Sequence, residues 1–559
     1  MKQQLRRAVI NQLARTGQLE RALHARHVYR TTRDETMRRY RLRSAPASLA
    51  LSVRDVPDTI ITTVGTRPSE VRTVVARCRT SASVLDAMRS NRNLVTKALT
   101  ATGVKTHELP IDSRNRFRVA VVHDRDRLLW SLVVAAPRTT YVYFDSTSIP
   151  RHHRVHHLAS SSPDDLHRYG SKAAVWRIFE YHADPDGVDL FGDIHGCEIE
   201  FWRRSRINNT VRSRRWNPLT VELPAERFGS VGAGGDLPAP MIEAVDFPID
   251  VVYTWVDGSD PEWIERRATT LGLVDLASRH EEAATDARYL SRNELKYSLR
   301  SLERYADFVN HVYVVTDDQC PDWLRTDHPR LSIVDHREIF PVDSVLPTFN
   351  SHSIESRLHH VPGLSEHYLY LNDDFFFARR VDAEQFFLAN GLARFFRSRA
   401  LIPLGEPTVR HRPVDTAAMN GRRVLVNKFG KVTTRKFKHA PYPQLRSVQL
   451  DIADLFPDEV AATTASQVRS PTDLALASSL HHHVAYLTGR AIPGSLSSYY
   501  ADLGQYNLEG RLHHLMKSRR YDTFCLNDTD RGEVSEADKM ALVSAFFDTY
   551  FPEKSTFER

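Results

Sequence analysis

In Tyr368-Leu-Tyr-Leu-Asn-Asp-Asp-Phe-Phe-Phe377, alternating aromatic and aliphatic residues run directly into two adjacent acids. Residues 368–372 predict a buried strand, and Asp373 and Asp374 follow at its carboxyl end. Ligands of open α/β sheets bind at the carboxyl ends of strands, and paired carboxylates suit a hard divalent cation. The stretch therefore predicts a metal site, with a plain Asp-Asp turn as the alternative.

Two more predicted strands in the same half of the chain also end on acids. The first begins at residue 249 and runs toward Asp257, and the second ends on Asp317 and Asp318. A predicted helix at 293–305 lies between them, and such alternation is typical of a largely parallel sheet with right-handed crossovers. In a parallel sheet the three acidic strand ends meet at one edge. This convergence favours the metal site over the turn.

Composition limits the class of protein. The chain has 559 residues, of which 41% are hydrophobic, so it can build cores for several domains. No apolar run approaches the roughly 20 residues that span a bilayer, and the N-terminus lacks the pattern of a secretory signal. Four scattered cysteines show neither metal-ligand spacing nor a disulfide framework. We expect a globular cytoplasmic protein.

The positive charge is concentrated at the N-terminus. Residues 1–45 contain twelve basic and three acidic residues, a net charge of +9, whereas the whole chain carries +7. A basic arm on a nearly neutral body argues against a nucleic-acid-binding core. The near-helical spacing of apolar residues in the arm predicts contact with an anionic surface, the inner face of the cell membrane. Packing on a neighbour, including a second copy in a homo-oligomer, is the alternative.

The two halves of the chain differ in pattern. Residues 46–240 predict a mixed α+β accessory domain, in which Leu128–Val134 is expected to form a strand. A stretch rich in Gly and Pro at 229–240 predicts a linker. The C-terminal third is more irregular, with His439 beside Pro441 and a final helix at 536–551.

Four blocks of sequence resemble the four conserved regions of the Stealth family of sugar-1-phosphate transferases. This family includes bacterial capsule and exopolysaccharide phosphotransferases, and the animal lysosomal-enzyme N-acetylglucosamine-phosphotransferase is similar to them. The similarity covers about residues 246–530. The blocks are Ile249–Gly258, then Arg292–Arg300 continuing through Leu346–Phe349 to Leu371–Asp374, then His439–Pro443 extending to Arg469, and finally Cys525–Asp528.

The resemblance implies transfer of a hexose or N-acetylhexosamine 1-phosphate from a UDP-sugar to a glycan or sugar-phosphate acceptor. A phosphodiester forms and UMP leaves, in capsule or exopolysaccharide biosynthesis. Neutralising the diphosphate then calls for Mg²⁺ or Mn²⁺, held by Asp373 and Asp374, with Asp257 and Asp528 as further ligand candidates. His439 is expected to be the general base, and Arg469 a donor to phosphate oxygens.

Further residues are expected to bind the donor, because they lie where the first strand ends, where a helix begins, or next to the acidic pair. They are Trp255, Asp257, Gly258, Arg292, Asn293, Glu294 and Asn372. Glu294 suits ribose or metal better than phosphate, which its charge would repel. Two other functions are compatible with the residues: a metal-dependent glycosyltransferase that releases UDP, and a non-enzymatic glycan-binding protein.

The expected fold class is α/β. A Rossmann-like, glycosyltransferase-A-like and mainly parallel sheet would form the catalytic domain at 246–530, and the helical segment 531–559 would pack on it.

Overall fold

The computed structural model describes most of the chain after residue 58 and divides it into two compact units, 1–241 and 242–559. The predicted basic arm at 1–45 lies outside the described residues, as does nearly all of the predicted linker. No helix in the described part of the chain is both long and apolar enough to cross a membrane. The described residues are 59–64, 72–78, 84–109, 118–122, 125–150, 153–183, 190–214, 220–229, 242–272, 289–342, 346–408, 410–505, 507–518, 520–528 and 534–559.

The first unit is built on one branched sheet. Its strands are β1 (Thr59–Val64), β2 (Arg72–Cys78), β3 (Thr106–Leu109), β4 (Arg118–Val122), β5 (Thr140–Asp145), β6 (Val155–His157), β7 (Val175–Ala183), β8 (Leu190–Phe191), β9 (Cys197–Arg204), β10 (Thr210–Arg212) and β11 (Glu222–Pro224). Its helices are α1 (Val84–Thr102), α2 (Arg125–Ala135) and α3 (Pro163–Gly170). The main path of the sheet is β1-β2-β7-β9-β10-β11. The unit is therefore mixed α+β.

The prediction of a strand at Leu128–Val134 is wrong, because these residues belong to helix α2. Leu128, Leu129 and Leu132 are buried, whereas Trp130 and Val134 are exposed. Burial at positions one and four apart is the pattern of a helix face. A short, nearly continuous apolar run does not distinguish that face from a buried strand.

The second unit contains the predicted alternation of strands and helices. Its strands are β12 (Ile249–Thr254), β13 (Val309–Thr316), β14 (Leu331–Asp335), β15 (His367–Asn372), β16 (Phe375–Phe377), β17 (Ala393–Phe395), β18 (Arg397–Leu401), β19 (Arg435–Phe437), β20 (Tyr442–Leu445), β21 (Ala491–Pro493), β22 (Ser498–Asp502) and β23 (Thr523–Asn527). Its helices are α4 (Pro261–Gly272), α5 (Glu294–Tyr305), α6 (His336–Ile339), α7 (Ser351–Glu355), α8 (Pro413–Phe429), α9 (Arg446–Leu455), α10 (Pro457–Thr464), α11 (His481–Leu487), α12 (Leu508–Ser518) and α13 (Glu536–Tyr550). A π-helical turn at Leu476–Leu480 precedes α11.

The central sheet of this unit has the order β14-β13-β12-β15-β20. Strands β14, β13, β12 and β15 are parallel to their neighbours, and β20 joins β15 in the antiparallel direction. The unit is therefore α/β, as predicted, with a mixed sheet. Tyr368, Leu369, Tyr370 and Leu371 of β15 are fully buried, and the strand lies between β12 and β20.

A second, three-stranded sheet begins directly after the acidic pair. Strand β16 pairs with β23, which in turn pairs with β22. Helix α5 holds β16 through two serines: Ser298 Oγ donates to the Phe375 carbonyl, and Ser301 Oγ accepts from the Phe377 N–H at 3.0 Å. Phe376 stacks on Phe524 of β23, with ring centroids 4.9 Å apart. The residues between the two sheets are thus fixed on both sides.

Candidate active site

The site is built at the carboxyl edge of the central sheet, where β12, β13 and β15 end. Because these strands are parallel, Asp257, Asp317 and Asp373 all follow strand ends at this one edge. The chain after β15 enters β16 within three residues, so Asp373 and Asp374 lie between the two sheets.

The Asp374 carboxylate is held by residues from two other segments. Its Oδ2 accepts hydrogen bonds from Cys525 Sγ at 3.2 Å and Asn527 Nδ2 at 3.1 Å, and lies 3.8 Å from His439 Nε2. Burial opposes ionisation of this group, but the neighbouring His439 and the hydrogen bonds from Asn527 and Cys525 hold the pKa of Asp374 below its usual value. Its Oδ1 is buried and has no hydrogen-bond partner among the described residues. Asp374 is therefore an anchored carboxylate with one oxygen available to a ligand.

Asp373 and Glu294 extend the negative charge beside Asp374. Burial, and then the charges of Glu294 and Asp374, raise the pKa of Asp373 well above its usual value. Burial also raises the pKa of Glu294, which lies at the first turn of α5 and accepts from the Arg292 N–H. Three acids interact closely here, and a cation would relieve their repulsion.

His439 is oriented through both ring nitrogens. Nδ1 lies 3.0 Å from the hydroxyl of Tyr442, and Nε2 faces Asp374. Phe375 meets the imidazole edge-on, with centroids 4.5 Å apart. The ring is only partly exposed, so its position is fixed and its Nε2 side remains near the carboxylate.

Arg469 reaches the same edge from a loop that is joined to the segment before α7. Phe349 N–H donates to the Gln467 carbonyl at 2.7 Å, and Asn350 Nδ2 donates to Asp473 Oδ2 at 2.8 Å. Within this frame, Arg469 Nη2 donates to Ser351 Oγ at 2.9 Å. The charges of Arg469 and Asp373 both act on the Tyr370 hydroxyl, whose pKa burial raises. Arg469 and Asp373 are therefore both close enough to Tyr370 for their charges to act on its hydroxyl.

Comparison with known proteins identifies the family. Models of four Stealth conserved regions match the chain: region 1 at 247–274, region 2 at 288–395, region 3 at 438–486 and region 4 at 513–559. The exopolysaccharide phosphotransferase SCO2594 of Streptomyces coelicolor is 40% identical over 547 residues, which cover 90% of this chain and 88% of that protein. The chain belongs to the Stealth family.

Further relatives agree with this assignment. The exopolysaccharide phosphotransferase CpsY of Mycobacterium tuberculosis is 36% identical over 397 residues, covering 69% of this chain and 73% of that protein. Among solved structures, the galactosyltransferase LgtC covers 55% of this chain and 97% of its own, at 10% identity and a TM-score of 0.27, a likeness too low to support an inference. This Stealth protein is a transferase enzyme, and its relatives support a phosphotransferase role in exopolysaccharide or capsule synthesis.

The four Stealth regions meet at the acidic pair. Region 2 supplies Asp373, Asp374 and Glu294, region 3 supplies His439 and Arg469, and region 4 supplies the partners of Asp374 on β23. Region 1 supplies β12, beside which β15 lies in parallel register. Residues that are distant in sequence thus form one site.

Two of the residues expected to bind the donor, Asp257 and Gly258, lie in the turn that follows β12. Asp257 Oδ1 accepts from the backbone and hydroxyl of Ser259, and its N–H donates to Gln319. Gly258 lies so close to Tyr289 that a Cβ would be 2.3 Å from the Tyr289 carbonyl oxygen. The backbone turn is therefore compact because position 258 has no side chain.

The other predicted donor residues differ in exposure. Trp255 is half-buried at the end of β12, and its N–H donates to the Val315 carbonyl at 3.0 Å. Asn293 is exposed in a left-handed conformation before α5, and Asn372 is half-buried as the last residue of β15. All three stand at ends of elements that lead to the acidic edge.

Arg292 and Asp528 belong to one network of ion pairs, together with Glu536 and Lys539. Arg292 Nη2 lies 2.6 Å from Asp528 Oδ2 and 2.6 Å from Glu536 Oε2. Lys539 Nζ lies 3.0 Å from the Asp528 carboxylate. Asp528 is thus paired with two cations and does not belong to the metal-type group around Asp374. In this arrangement Arg292 fastens α13 to the segment before α5.

Asp317 and Asp318 share the sheet edge, but arginines pair with both. Arg266 Nη2 lies 3.2 Å from Asp317 Oδ2, and Arg337 Nη2 lies 3.0 Å from Asp318 Oδ1. The predicted convergence of acids therefore separates into a paired group after β13 and a group centred on Asp374 after β15.

Cys525, Tyr442 and Tyr500 were not predicted as site residues. Among the described residues, Asp374, His439 and Cys525 place ligand-type atoms within 4.8 Å of one another. Burial and the charge of Asp374 raise the pKa of the Cys525 thiol well above its usual value, so it acts as a hydrogen-bond donor. Tyr500 Oη donates to Asn527 Oδ1 at 3.2 Å. The one signal in the sequence is that Cys525 and Tyr442 fall within the quoted conserved blocks.

The ligand atoms around Asp374 suit a hard divalent cation. Asp374 Oδ1 is buried without a hydrogen-bond partner in the described chain, and two more carboxylates interact with it. Oxygen ligands of this kind suit Mg²⁺ or Mn²⁺.

Proposed function

We propose that this enzyme transfers a hexose or N-acetylhexosamine 1-phosphate from a UDP-sugar to a hydroxyl of a glycan or sugar-phosphate acceptor, with release of UMP. The product would be a phosphodiester in an exopolysaccharide or capsule. The observation that carries the proposal is the arrangement of His439, whose Nε2 lies 3.8 Å from an anchored aspartate.

His439 is suited to take the proton of the attacking hydroxyl. In the tautomer whose Nδ1–H donates to the Tyr442 oxygen, Nε2 carries the lone pair and is the basic atom. As the acceptor oxygen bonds to phosphorus, its proton moves to Nε2, and the bond from phosphorus to the UMP oxygen breaks. Asp374 then stabilises the imidazolium that forms.

Arg469 is suited to bind the transferred phosphate. Its Nη2 is already oriented by Ser351, and its loop is fixed by the Asn350–Asp473 hydrogen bond. A planar guanidinium donates two parallel hydrogen bonds to phosphate oxygens, and these strengthen as charge moves in the transition state. A base for the acceptor hydroxyl and an arginine for the phosphate oxygens are the two groups that an in-line displacement requires besides the cation.

Mg²⁺ or Mn²⁺ would be held by Asp373 and Asp374, with Glu294 beside them, and would neutralise the charge of the diphosphate. Asp257 would face the ribose or base of the donor rather than the ion, because its Oδ1 already closes the turn at Ser259.

The proposal also covers the type of the central sheet and the cellular location of the enzyme. We regard the central sheet as a Rossmann-like, glycosyltransferase-A-like variant, which three parallel pairings and the site at their carboxyl edge support. The enzyme would work in the cytoplasm, at the inner face of the membrane.

The released nucleotide tests the reaction. The purified protein is incubated with a panel of UDP-sugars and an acceptor glycan, and UMP and UDP are separated chromatographically. UMP with a phosphodiester product supports the proposal. UDP would instead show that the acceptor hydroxyl attacks the anomeric carbon of the donor, which is glycosyl transfer. Release of neither nucleotide from any donor would favour a glycan-binding protein.

Two variants test the residue roles. His439→Ala should lower turnover about 10²- to 10⁴-fold and leave donor affinity nearly unchanged, since the base acts on the acceptor. Arg469→Ala should weaken donor binding and slow turnover together, and Arg469→Lys should rescue only partly. Loss of donor binding in His439→Ala as severe as in Arg469→Ala would make His439 a phosphate ligand instead.

A further inference from the structure

The segment between Stealth regions 2 and 3 has an unusual composition. Residues 396–437 contain ten basic and two acidic residues, a net charge of +8 in a chain whose total is +7. The segment matches none of the four Stealth models: the model of region 2 ends at 395, and that of region 3 begins at 438. The charge therefore lies in a part of the chain that the models of regions 2 and 3 leave out.

The segment folds as a ribbon packed on a helix. Strands β18 and β19 pair with each other, with Arg397 opposite Phe437 and Leu401 opposite Arg435. Beyond the ribbon, Ile402 packs with Ala418 and Met419 of α8, and Arg422 of that helix donates to the Pro403 carbonyl at 2.6 Å. Ribbon and helix thus form one structural element.

The base of the ribbon is anchored near the catalytic histidine. Phe437 packs edge-on against Phe395 and against His482 of α11, with centroids 5.6 and 4.7 Å apart. Two residues after Phe437 the chain reaches His439. A surface carried by the ribbon is therefore fixed relative to the active site.

The far end of the ribbon exposes aliphatic side chains. Leu401, Leu404 and Val432 are 65%, 83% and 69% exposed. The Ile402 N–H donates to the Thr434 carbonyl at 2.9 Å, and all three residues lie within two positions along the chain of one end of this bond. We call these three residues, with Lys428, Lys431 and Arg435 around them, the ribbon tip.

The basic residues of the segment are mostly available to a partner. Seven of them are exposed and have no ion pair with a carboxylate in the described part of the chain: Arg397, Arg399, Arg410, Arg423, Lys428, Lys431 and Arg435. Elsewhere in this unit, arginines such as Arg292 and Arg300 are ion-paired. Like charges crowded together without counter-ions favour an anionic partner.

We propose that the ribbon tip docks on an anionic membrane surface and holds the active site beside it. Exposed aliphatic side chains ringed by Lys and Arg are the composition of an interfacial contact, in which the aliphatic groups enter the headgroup region and the cations meet lipid phosphates. A soluble anionic glycan would satisfy the charges but would give no reason for three exposed aliphatic residues. The acceptor would then be presented at the membrane, close to His439.

Vesicle binding by the full-length protein tests the proposal. Binding to phosphatidylcholine vesicles containing phosphatidylglycerol is measured by flotation, with no nucleotide sugar present, so the result does not depend on the reaction. Each of Lys428→Ala, Lys431→Ala and Arg435→Ala should weaken binding about fivefold at low salt, and all three together about 100-fold. Each of Leu401→Ser and Leu404→Ser should weaken vesicle binding about tenfold. Raising the salt to the physiological concentration should not restore vesicle binding to either set of variants.

Matched controls separate the tip from general charge and hydrophobicity. Lys105→Ala, Lys172→Ala and Arg206→Ala remove the same charge from exposed positions of the first unit, and Ile207→Ser and Val342→Ser remove aliphatic groups of similar exposure. These variants should bind like the wild type. Thermal melting and release of nucleotide without vesicles should be unchanged in all variants, because the tip lies outside the site.

Three results would overturn the proposal. If the combined tip variants bound vesicles as tightly as the wild type does, any membrane contact would be assigned to residues 1–45. Equal binding of the wild type to neutral and anionic vesicles would also exclude the proposed chemistry. If the tip variants instead lost affinity only for a soluble phosphodiester-linked polysaccharide, the surface would belong to the glycan.

Discussion

Tyr442→Phe isolates one hydrogen bond of the active site. The Tyr442 hydroxyl lies 3.0 Å from His439 Nδ1, and the ring is 6% exposed, packed beside Tyr370 and Phe375. Phenylalanine keeps this packing and removes the hydroxyl alone. Since a neutral hydrogen bond contributes about 0.5–1.5 kcal/mol, its loss from the oriented histidine should slow turnover about 2- to 13-fold.

The same change should leave the donor site intact. We expect the donor dissociation constant, measured by calorimetry, to stay within about twofold of the wild type, and the free energy of unfolding to fall by about 1 kcal/mol. Initial rates of nucleotide release are measured beside it. This combination, a lower kcat with unchanged donor affinity, is what a residue that positions the base should produce.

Tyr368→Phe is the matched control. Tyr368 is equally buried on the adjacent strand β15, but its hydroxyl has no hydrogen-bond partner among the described residues. Removing it should leave turnover unchanged and should not destabilise the fold. The reasoning would be refuted if Tyr442→Phe turned over at the wild-type rate, or if Tyr368→Phe slowed turnover as much.

Three other predictions concern the metal, a glycine and an ion pair. Excess chelator should abolish turnover and added Mg²⁺ or Mn²⁺ should restore it; full activity in chelator would remove the metal role of the acidic pair. Gly258→Ala should destabilise the second unit by about 1–3 kcal/mol in urea unfolding, because its Cβ would overlap the Tyr289 carbonyl, whereas an unchanged midpoint would show that the turn adapts. Glu558→Gln should cost about 3–5 kcal/mol at neutral pH, since Arg300 holds both carboxylate oxygens at 2.8 and 2.7 Å. Burial opposes ionisation of Glu558, but Arg300 holds its pKa below the usual value. The stabilisation by this ion pair should therefore be present above about pH 4.3 and be lost as the pH falls through the lowered pKa. A difference in stability between wild type and variant that persists in acid would contradict this.

The second unit was the more predictable part of the fold. Helix α5 has a sequence period that matches its burial, as Leu295, Leu299 and Leu302 on one buried helix face show. The run at 128–134 failed because apolar residues there satisfy both a strand and a helix, and only packing decides between them. Local pattern predicts an element well when polar residues mark its exposed face.

The site was only partly predictable because its anchors come from pairings that sequence does not display. Asp373 and Asp374 follow from a strand end, but the contact of Asp374 with Cys525 depends on β16 pairing with β23. The sequence likewise shows three acidic strand ends, whereas arginines from α4 and the start of α6 neutralise the acids after β13. Long-range pairing determined which acids remain available.

The pairing of β16 with β23 has a consequence for protein synthesis. The two residues that hold Asp374 are 151 and 153 positions later in the chain. A nascent polypeptide that ends before residue 523 already contains Asp373, Asp374, His439 and Arg469, yet it lacks the strand that fixes the central carboxylate. We therefore expect incomplete translation products to consume no nucleotide sugar, and nucleotide release by ribosome-stalled chains ending before β23 would contradict this. Translation must therefore pass β23 before the carboxylate at the centre of the site is fixed in place.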